Sequence, residues 1–309
     1  MSDVGGDRTR RVFVRDLGLL TGAAVALGSA ISAPGTDASP ADLVVAGGED
    51  PKAVVKKAIA ELGGMNRFVA RGDVVVIKPN MAWDRRPEQG ANTNPDVVVG
   101  LIEMAFDAGA KAIKVFDCCA KEIRNHSDAY TASGIADAAR TAGASVLLTG
   151  QLQAAKMLLK DGVFLKESLV WKDALECDCF INVPVAKHHG VTKVTLAMKN
   201  HMGVTADDRR QWHGNLDQAL ADFALAFRPR LTVLDAWRII VRNGPRAGGL
   251  QDVQLAKKCV VGVNQANVDA YGATLFGKLP TDIRHIALAG KMGVGEIDLT
   301  RLRIREVKA

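Results

Sequence analysis

The chain has 309 residues, 48% of them hydrophobic and 24% charged, with a net charge of +6; that is enough apolar material for one large core. The positive charge is not gathered into basic runs with interleaved aromatics, and aromatics make up only 5%, so no nucleic-acid partner is expected. The five cysteines (Cys118, Cys119, Cys177, Cys179, Cys259) contain no CxxC pair, which argues against a disulfide framework, a zinc set or a ferredoxin-type iron-sulfur motif.

At the N-terminus, Thr9-Arg10-Arg11-Val12-Phe13 precedes a weakly apolar, Gly/Ala-rich stretch that ends in small residues before Pro34. Paired arginines with an aromatic two residues on match a twin-arginine export signal. An ordinary helix is a poorer reading, since Gly18, Gly22 and Gly28 would each weaken it by about 1 kcal/mol. The expected organisation is a signal over residues 1–33, read by the twin-arginine export machinery, a linker over 34–50, and one α/β domain over 51–309. Localisation is then extracytoplasmic, in the periplasm. No later run reaches the ~20 apolar residues of a spanning helix.

From Val54 the chain alternates between helical and extended patterns. Helices are predicted over Val54–Leu62, Pro95–Ala108 with Asn94 as N-cap, Ser127–Ala142, Leu216–Phe227 and Val268–Phe276. Strands are predicted over Asp73–Ile77, Ala112–Phe116, Ala144–Leu148, Cys179–Val183, Leu231–Leu234 and Cys259–Val263. Gln151–Lys172 reads as an excursion with one helix, and Gly290–Gly295 as a Gly-rich turn. Strands and helices in alternation predict an α/β fold, a mostly parallel sheet with helices on both faces of a single large domain.

In a parallel sheet the carboxyl ends of the strands open on one edge, where ligands bind. Four predicted strands run at once into polar residues: Lys78-Pro79-Asn80, Asp117-Cys118-Cys119, Asn182 with Pro184 and then Lys187-His188-His189, and Asp235 with Trp237 and Arg238. Four of the six histidines (His188, His189, His201, His213) fall between residues 188 and 213. This convergence predicts a site for a small anionic molecule. Lys78, Lys187 and Lys199 supply charge, Asn80, Asn182 and Asn200 orient the ligand, and Asp117, Lys187 and His188 handle protons. Because adjacent His188 and His189 point to opposite sides of any regular backbone, only one serves the site. A metal held by His188, His201 and Asp117 is a second possibility, without HExxH-type spacing behind it. Asn243-Gly244-Pro245 opens a glycine-rich loop whose backbone N–H groups suit an anion. The spacing is neither GxGxxG nor GxxxxGK, so nothing points to a nucleotide.

Taken together, Lys78-Pro79-Asn80, Asn182-Val183-Pro184 with Lys187 and His188, Met198-Lys199-Asn200 with Gly203, and Asn243-Gly244-Pro245 resemble the domain of unknown function 362 family. Asn267-Val268-Asp269 and Gly293-Val294-Gly295-Glu296 are similar to its closing segment, so the resemblance spans about residues 72–304 in order. Members are often joined to four-iron ferredoxin modules, which implies a redox setting for some; the cysteines for such a cluster are missing here. The expected activity is an enzyme acting on a small anionic substrate, with a redox-linked version and a non-catalytic metal- or anion-binding protein as alternatives. The cofactor and the oligomeric state are left open.

Overall fold

The computed structural model describes residues 40–120, 123, 125–247 and 249–309. The expected signal over residues 1–33 lies outside the described residues.

Twelve strands are described: Leu43–Gly47 (β1), Val74–Pro79 (β2), Ala112–Val115 (β3), Ser145–Val146 (β4), Ala154–Leu158 (β5), Glu167–Trp171 (β6), Cys179–Val183 (β7), Val185–His189 (β8), Lys193–Thr195 (β9), Leu231–Ile240 (β10), Val253–Gly262 (β11) and Ile304–Lys308 (β12). Ten form one sheet in the order β12-β1-β11-β10-β7-β2-β3-β4, with β8 attached to β10 and β9 off that path. Parallel pairings join β4, β3, β2, β7 and β10 in turn, β8 to β10, and β1 to β12. The antiparallel pairings are β1 with β11, β10 with β11 and β8 with β9. The sheet is therefore mostly parallel, as its β-branched, doubly buried strands require.

Alternate residues feed opposite layers. Val75 and Ile77 of β2, with Ile181 and Val183 of β7, pack against the helices Pro51–Glu61 and Pro95–Asp107. Val76 and Phe180 face the other way, onto Trp212, Leu220, Phe223 and Phe227 beneath the helix Leu216–Ala226. Lys78 and Asn182 share the parity of this second face and are direct register partners. The strands thus deliver both polar side chains, side by side, to the layer where the site lies.

Four readings of the sequence need correction. Leu43–Gly47, expected in the linker over 34–50, is β1, almost wholly buried between β11 and β12. The helix predicted over Ser127–Ala142 is two, His126–Ala132 and Ile135–Thr141, broken where Gly134 takes a φ of 70°, a conformation open to glycine. The excursion over Gln151–Lys172 carries an antiparallel hairpin, β5 with β6, in place of a helix. The strand predicted at Leu231–Leu234 runs on to Ile240, because Trp237 and Ile239 each continue into an apolar cluster.

The hairpin's far end is fastened by one buried side chain. Asp222 accepts the N–H of Val163 at 2.9 Å, those of Phe164 and Leu165 at 2.7 Å each, and the Gln218 amide at 2.8 Å. Replacing it strands three donors, each worth about 1 to 3 kcal/mol if left unsatisfied. Asp222→Ala is expected to cost about 3 kcal/mol in denaturant unfolding and to speed hydrogen exchange at residues 163–165. Unchanged exchange there would show that the hairpin is held by its apolar contacts.

Candidate functional site

The site begins with a lysine at the end of β2. Lys78 Nζ lies 2.7 Å from Asp117 Oδ1, and both side chains are 1% exposed, so each ion is the other's main compensation for lost hydration. Asp117 also accepts the Met81 N–H at 2.7 Å and the Cys118 N–H at 2.9 Å. It thereby ties the chain leaving β2 to the chain leaving β3. Burial pulls the Lys78 ammonium below the ordinary lysine range, and Asp117 opposes that pull. Gly203 covers the pair closely: a Cβ there would stand 2.6 Å from Lys78 Nζ and would collide with Asp117 Oδ1.

From Lys78 a hydrogen-bonded chain runs to a second buried lysine. Lys78 Nζ donates to Asn200 Oδ1 at 2.8 Å, and Asn80 Nδ2 donates to the same oxygen at 3.1 Å. Lys187 Nζ then donates to Asn80 Oδ1 at 3.1 Å and to the Ala91 carbonyl at 2.7 Å. The Lys78 ammonium only donates, so Asn200 Oδ1 faces it; Asn80 then gives its Nδ2 to that same oxygen and turns Oδ1 toward Lys187. Asn200 Nδ2 passes its hydrogens to Asn182 Oδ1 at 2.8 Å and to the Lys78 carbonyl at 3.3 Å, while Asn182 Nδ2 donates to the Ala197 carbonyl at 3.0 Å.

Two further buried carboxyls position the segments that carry these groups. Asp269 accepts the Ala197 N–H at 2.6 Å and the Met198 N–H at 3.0 Å, capping the short helix Ala197–Asn200 and so placing Lys199 and Asn200. Asp235 accepts the Asn94 N–H at 2.7 Å and the Trp237 N–H at 2.9 Å. Burial raises the Asp269 carboxyl to about 7 and that of Asp235 to about 6.

These residues line a cavity of about 950 Å³ that holds Lys78, Asn80, Asp117, Lys187, Lys199 and Asn200 together with His189 and Arg209. Burial, then the Lys199 charge, brings Lys187 down to about 7; burial, then Arg209, brings Lys199 down to about 8. Lys187, Lys199 and Arg209 have no carboxylate within ion-pair distance among the described residues. Among the described residues Lys199 Nζ meets the Met202 thioether at 3.6 Å, and Arg209 spends its guanidinium on the Cys118 and Cys119 carbonyls at 2.8 and 3.0 Å.

Several expected residues stand elsewhere. His188 alternates with Lys187 and His189 along β8, so it faces a separate groove with Lys193, Phe276 and Lys278, and its Nδ1 accepts the Gly244 N–H at 3.2 Å. His189 lines the cavity, together with His126 and His213. Its Nδ1 accepts the N–H groups of Val191 and Thr192 at 3.1 and 3.2 Å, which leaves the proton on Nε2; burial holds its pKa down at about 3. His201 is wholly buried against Phe223 and Phe227, donating Nε2–H to Gln265, and burial lowers it to about 3. His188, His201 and Asp117 therefore do not form a metal site, and no group of three His, Cys, Asp or Glu side chains among the described residues is arranged to hold a metal ion. Asn243 gives its amide to both Asp252 oxygens at 3.1 Å, and Gly244 gives its N–H to His188, so these two residues are not a free anion cradle; of the loop's described residues, Pro245 borders the cavity. Asn182 stands behind Asn200 as a support. Arg209 was not legible in the sequence, since it follows no predicted strand and belongs to no motif.

Asp117→Ala would leave Lys78 buried without its counter-charge, and is expected to cost about 3 to 5 kcal/mol. The double variant Lys78→Met/Asp117→Leu is expected to regain most of that loss in denaturant melts. A double variant no more stable than Asp117→Ala would mean that Asp117 matters through its backbone contacts instead.

Comparison with known proteins places most of the chain in a family. The domain of unknown function 362 family matches residues 75–274, which carry Lys78, Asn80, Asp117, Asn182, Lys187, Lys199, Asn200 and Arg209. The thylakoid-associated protein sll1697 of Synechocystis sp. (strain ATCC 27184 / PCC 6803 / Kazusa) is 28% identical over 218 residues, covering 66% of this chain. The chain spans 64% of that relative's length. With most of the sheet and the whole lysine and asparagine cluster inside the matched segment, the chain belongs to the domain of unknown function 362 family.

Proposed function

We propose that the cavity binds a small organic anion, a carboxylate or a phosphate, and that the protein is an enzyme acting on it outside the cytoplasm. The observation that carries this reading is the pair Lys187 and Lys199, two buried or half-buried amines on one cavity that have no carboxylate partner among the described residues. A protein gains nothing in stability from such cations, whereas an incoming anion in a site of low dielectric would be strongly attracted. Arg209 adds a third charge on the same wall.

Acid and base roles fall to the lysines. His189 at about 3 stays neutral near pH 7 and offers Nε2–H as a donor to the ligand, while Lys187 at about 7 and Lys199 at about 8 exchange protons in the working range. Asp117 fixes Lys78 and the two chain segments beside it. The paired Arg10 and Arg11 support export by the twin-arginine machinery, and a thylakoid-associated relative accords with work at or beyond a membrane. No helix among the described residues is long and apolar enough to cross one.

Anion affinity should depend on pH with a definite sign. Binding needs protonated lysines, so affinity measured by calorimetry across a panel of small carboxylates and phosphates is expected to fall as pH rises through about 7 and then about 8. Lys187→Met and Lys199→Met are each expected to weaken the best ligand at least about tenfold, or about 1.4 kcal/mol. Affinity that is flat in pH and indifferent to both substitutions would refute the anion site, and tight binding without turnover would make the protein a holder of the anion. Export has its own test: Arg10→Lys/Arg11→Lys should keep the full chain in the cytoplasmic fraction, and undiminished export would remove the twin-arginine reading.

A further inference from the structure

Lys187 differs from Lys78 in one respect that bears on chemistry. Lys78 is neutralised by Asp117 at 2.7 Å, whereas Lys187 Nζ, equally buried, has two neutral acceptors, Asn80 Oδ1 and the Ala91 carbonyl. Among the described residues no carboxylate compensates a charge on Lys187, and a buried amine without a counter-charge favours the neutral form, whose lone pair is free to react. Lys187 also borders the cavity that Lys199 and Arg209 line.

We propose that Lys187 is a nucleophilic amine that captures the carbonyl of a small oxo acid as an imine. This rests on the anion-binding reading and names its substrate class. The Lys187 lone pair attacks the carbonyl carbon, forming a C–N bond as the C=O π electrons move to oxygen. Proton transfer from nitrogen to oxygen gives a neutral carbinolamine. Its hydroxyl then leaves as water, taking one proton from Lys199, as the nitrogen lone pair closes the C=N bond. The iminium nitrogen loses its remaining proton, which restores the Lys199 ammonium, and the sum is amine plus carbonyl giving imine plus water. The oxo acid's carboxylate is drawn by the cationic wall that includes Arg209. An amine desolvated beside other cations is the form of lysine suited to such capture.

The step needs Lys187 neutral and Lys199 protonated, so capture peaks between about 7 and about 8. Ordinary surface lysines instead react faster with every unit of pH toward their own pKa.

The test is reductive trapping of the full-length protein with glyoxylate and borohydride, followed by peptide mass spectrometry. The expected result is near-stoichiometric modification at Lys187 with its maximum between pH 7 and 8, absent in Lys187→Arg and Lys187→Met, and at least about tenfold slower in Lys199→Met. Lys78 and surface lysines should be modified far less. Modification spread over surface lysines, or confined to Lys199 and unaffected by Lys187→Arg, overturns the proposal. If glyoxylate binds by calorimetry and protects the cavity yet Lys187 is never trapped, imine formation fails while the anion site stands; if glyoxylate and every other anion in the panel fail to bind, both readings fall.

Discussion

A buried ion pair sets the geometry on which this fold's polar centre depends. Lys78 and Asp117 meet at 2.7 Å with almost no exposure, and removing either would leave an uncompensated charge in the core. Around them Asn80, Asn182 and Asn200 form a continuous hydrogen-bonded chain. Asp117 holds the chain beyond β2 and the chain beyond β3, Asn200 receives Lys78 and Asn80, and Asn182 supports Asn200 from the neighbouring strand. Such a network has one low-energy arrangement, which is what a site built from the ends of separate strands needs.

Placed against this saturated centre, the unpaired lysines acquire meaning. The same asparagine ladder that ends on Lys78 at one side ends on Lys187 at the other, but only one end carries a carboxylate. The asymmetry creates a charged group and a neutral-leaning one a few bonds apart in a single cavity. Asp269 and Asp235 fix the segments around Ala197, Met198, Asn94 and Trp237 by accepting their backbone N–H groups. Asp235 and Asp269 are spent on backbone N–H groups and Asp117 on Lys78, so none of the three is paired with Lys187 or Lys199.

How much of this was readable from residues alone follows from what each inference needed. Strand-end logic sufficed to bring Lys78, Asn80, Asp117 and Asn182 together, because parallel strands open on a shared edge and each of these residues stands at the end of an apolar run; Asn200, which follows no predicted strand, entered with the Met198-Lys199-Asn200 motif. It failed at His188, where alternation says that one of two adjacent histidines faces the site but cannot say which; Lys187 fixes the parity, and His189 shares it. It failed at Asn243 and Gly244, whose polar groups are taken by Asp252 and His188, partners that no local pattern reveals. Metal ligation by His201 was plausible by sequence proximity and is undone by its burial among aromatic rings. The strand Leu43–Gly47 was hidden by the turn-forming residues around it, and the hairpin over residues 154–171 by a mixed pattern that suits either a strand or a helix.

The protonation state of Lys187 bears most directly on the claim that a buried amine awaits an anion here. With lysine side chains labelled by nitrogen-15, and Lys187→Arg used to assign the resonance, titration of the full-length protein follows that one group by NMR. A Lys187 resonance with its midpoint near pH 7, moving upward when inorganic phosphate is added, is the expected result. A midpoint in the ordinary lysine range, unmoved by phosphate, would contradict it.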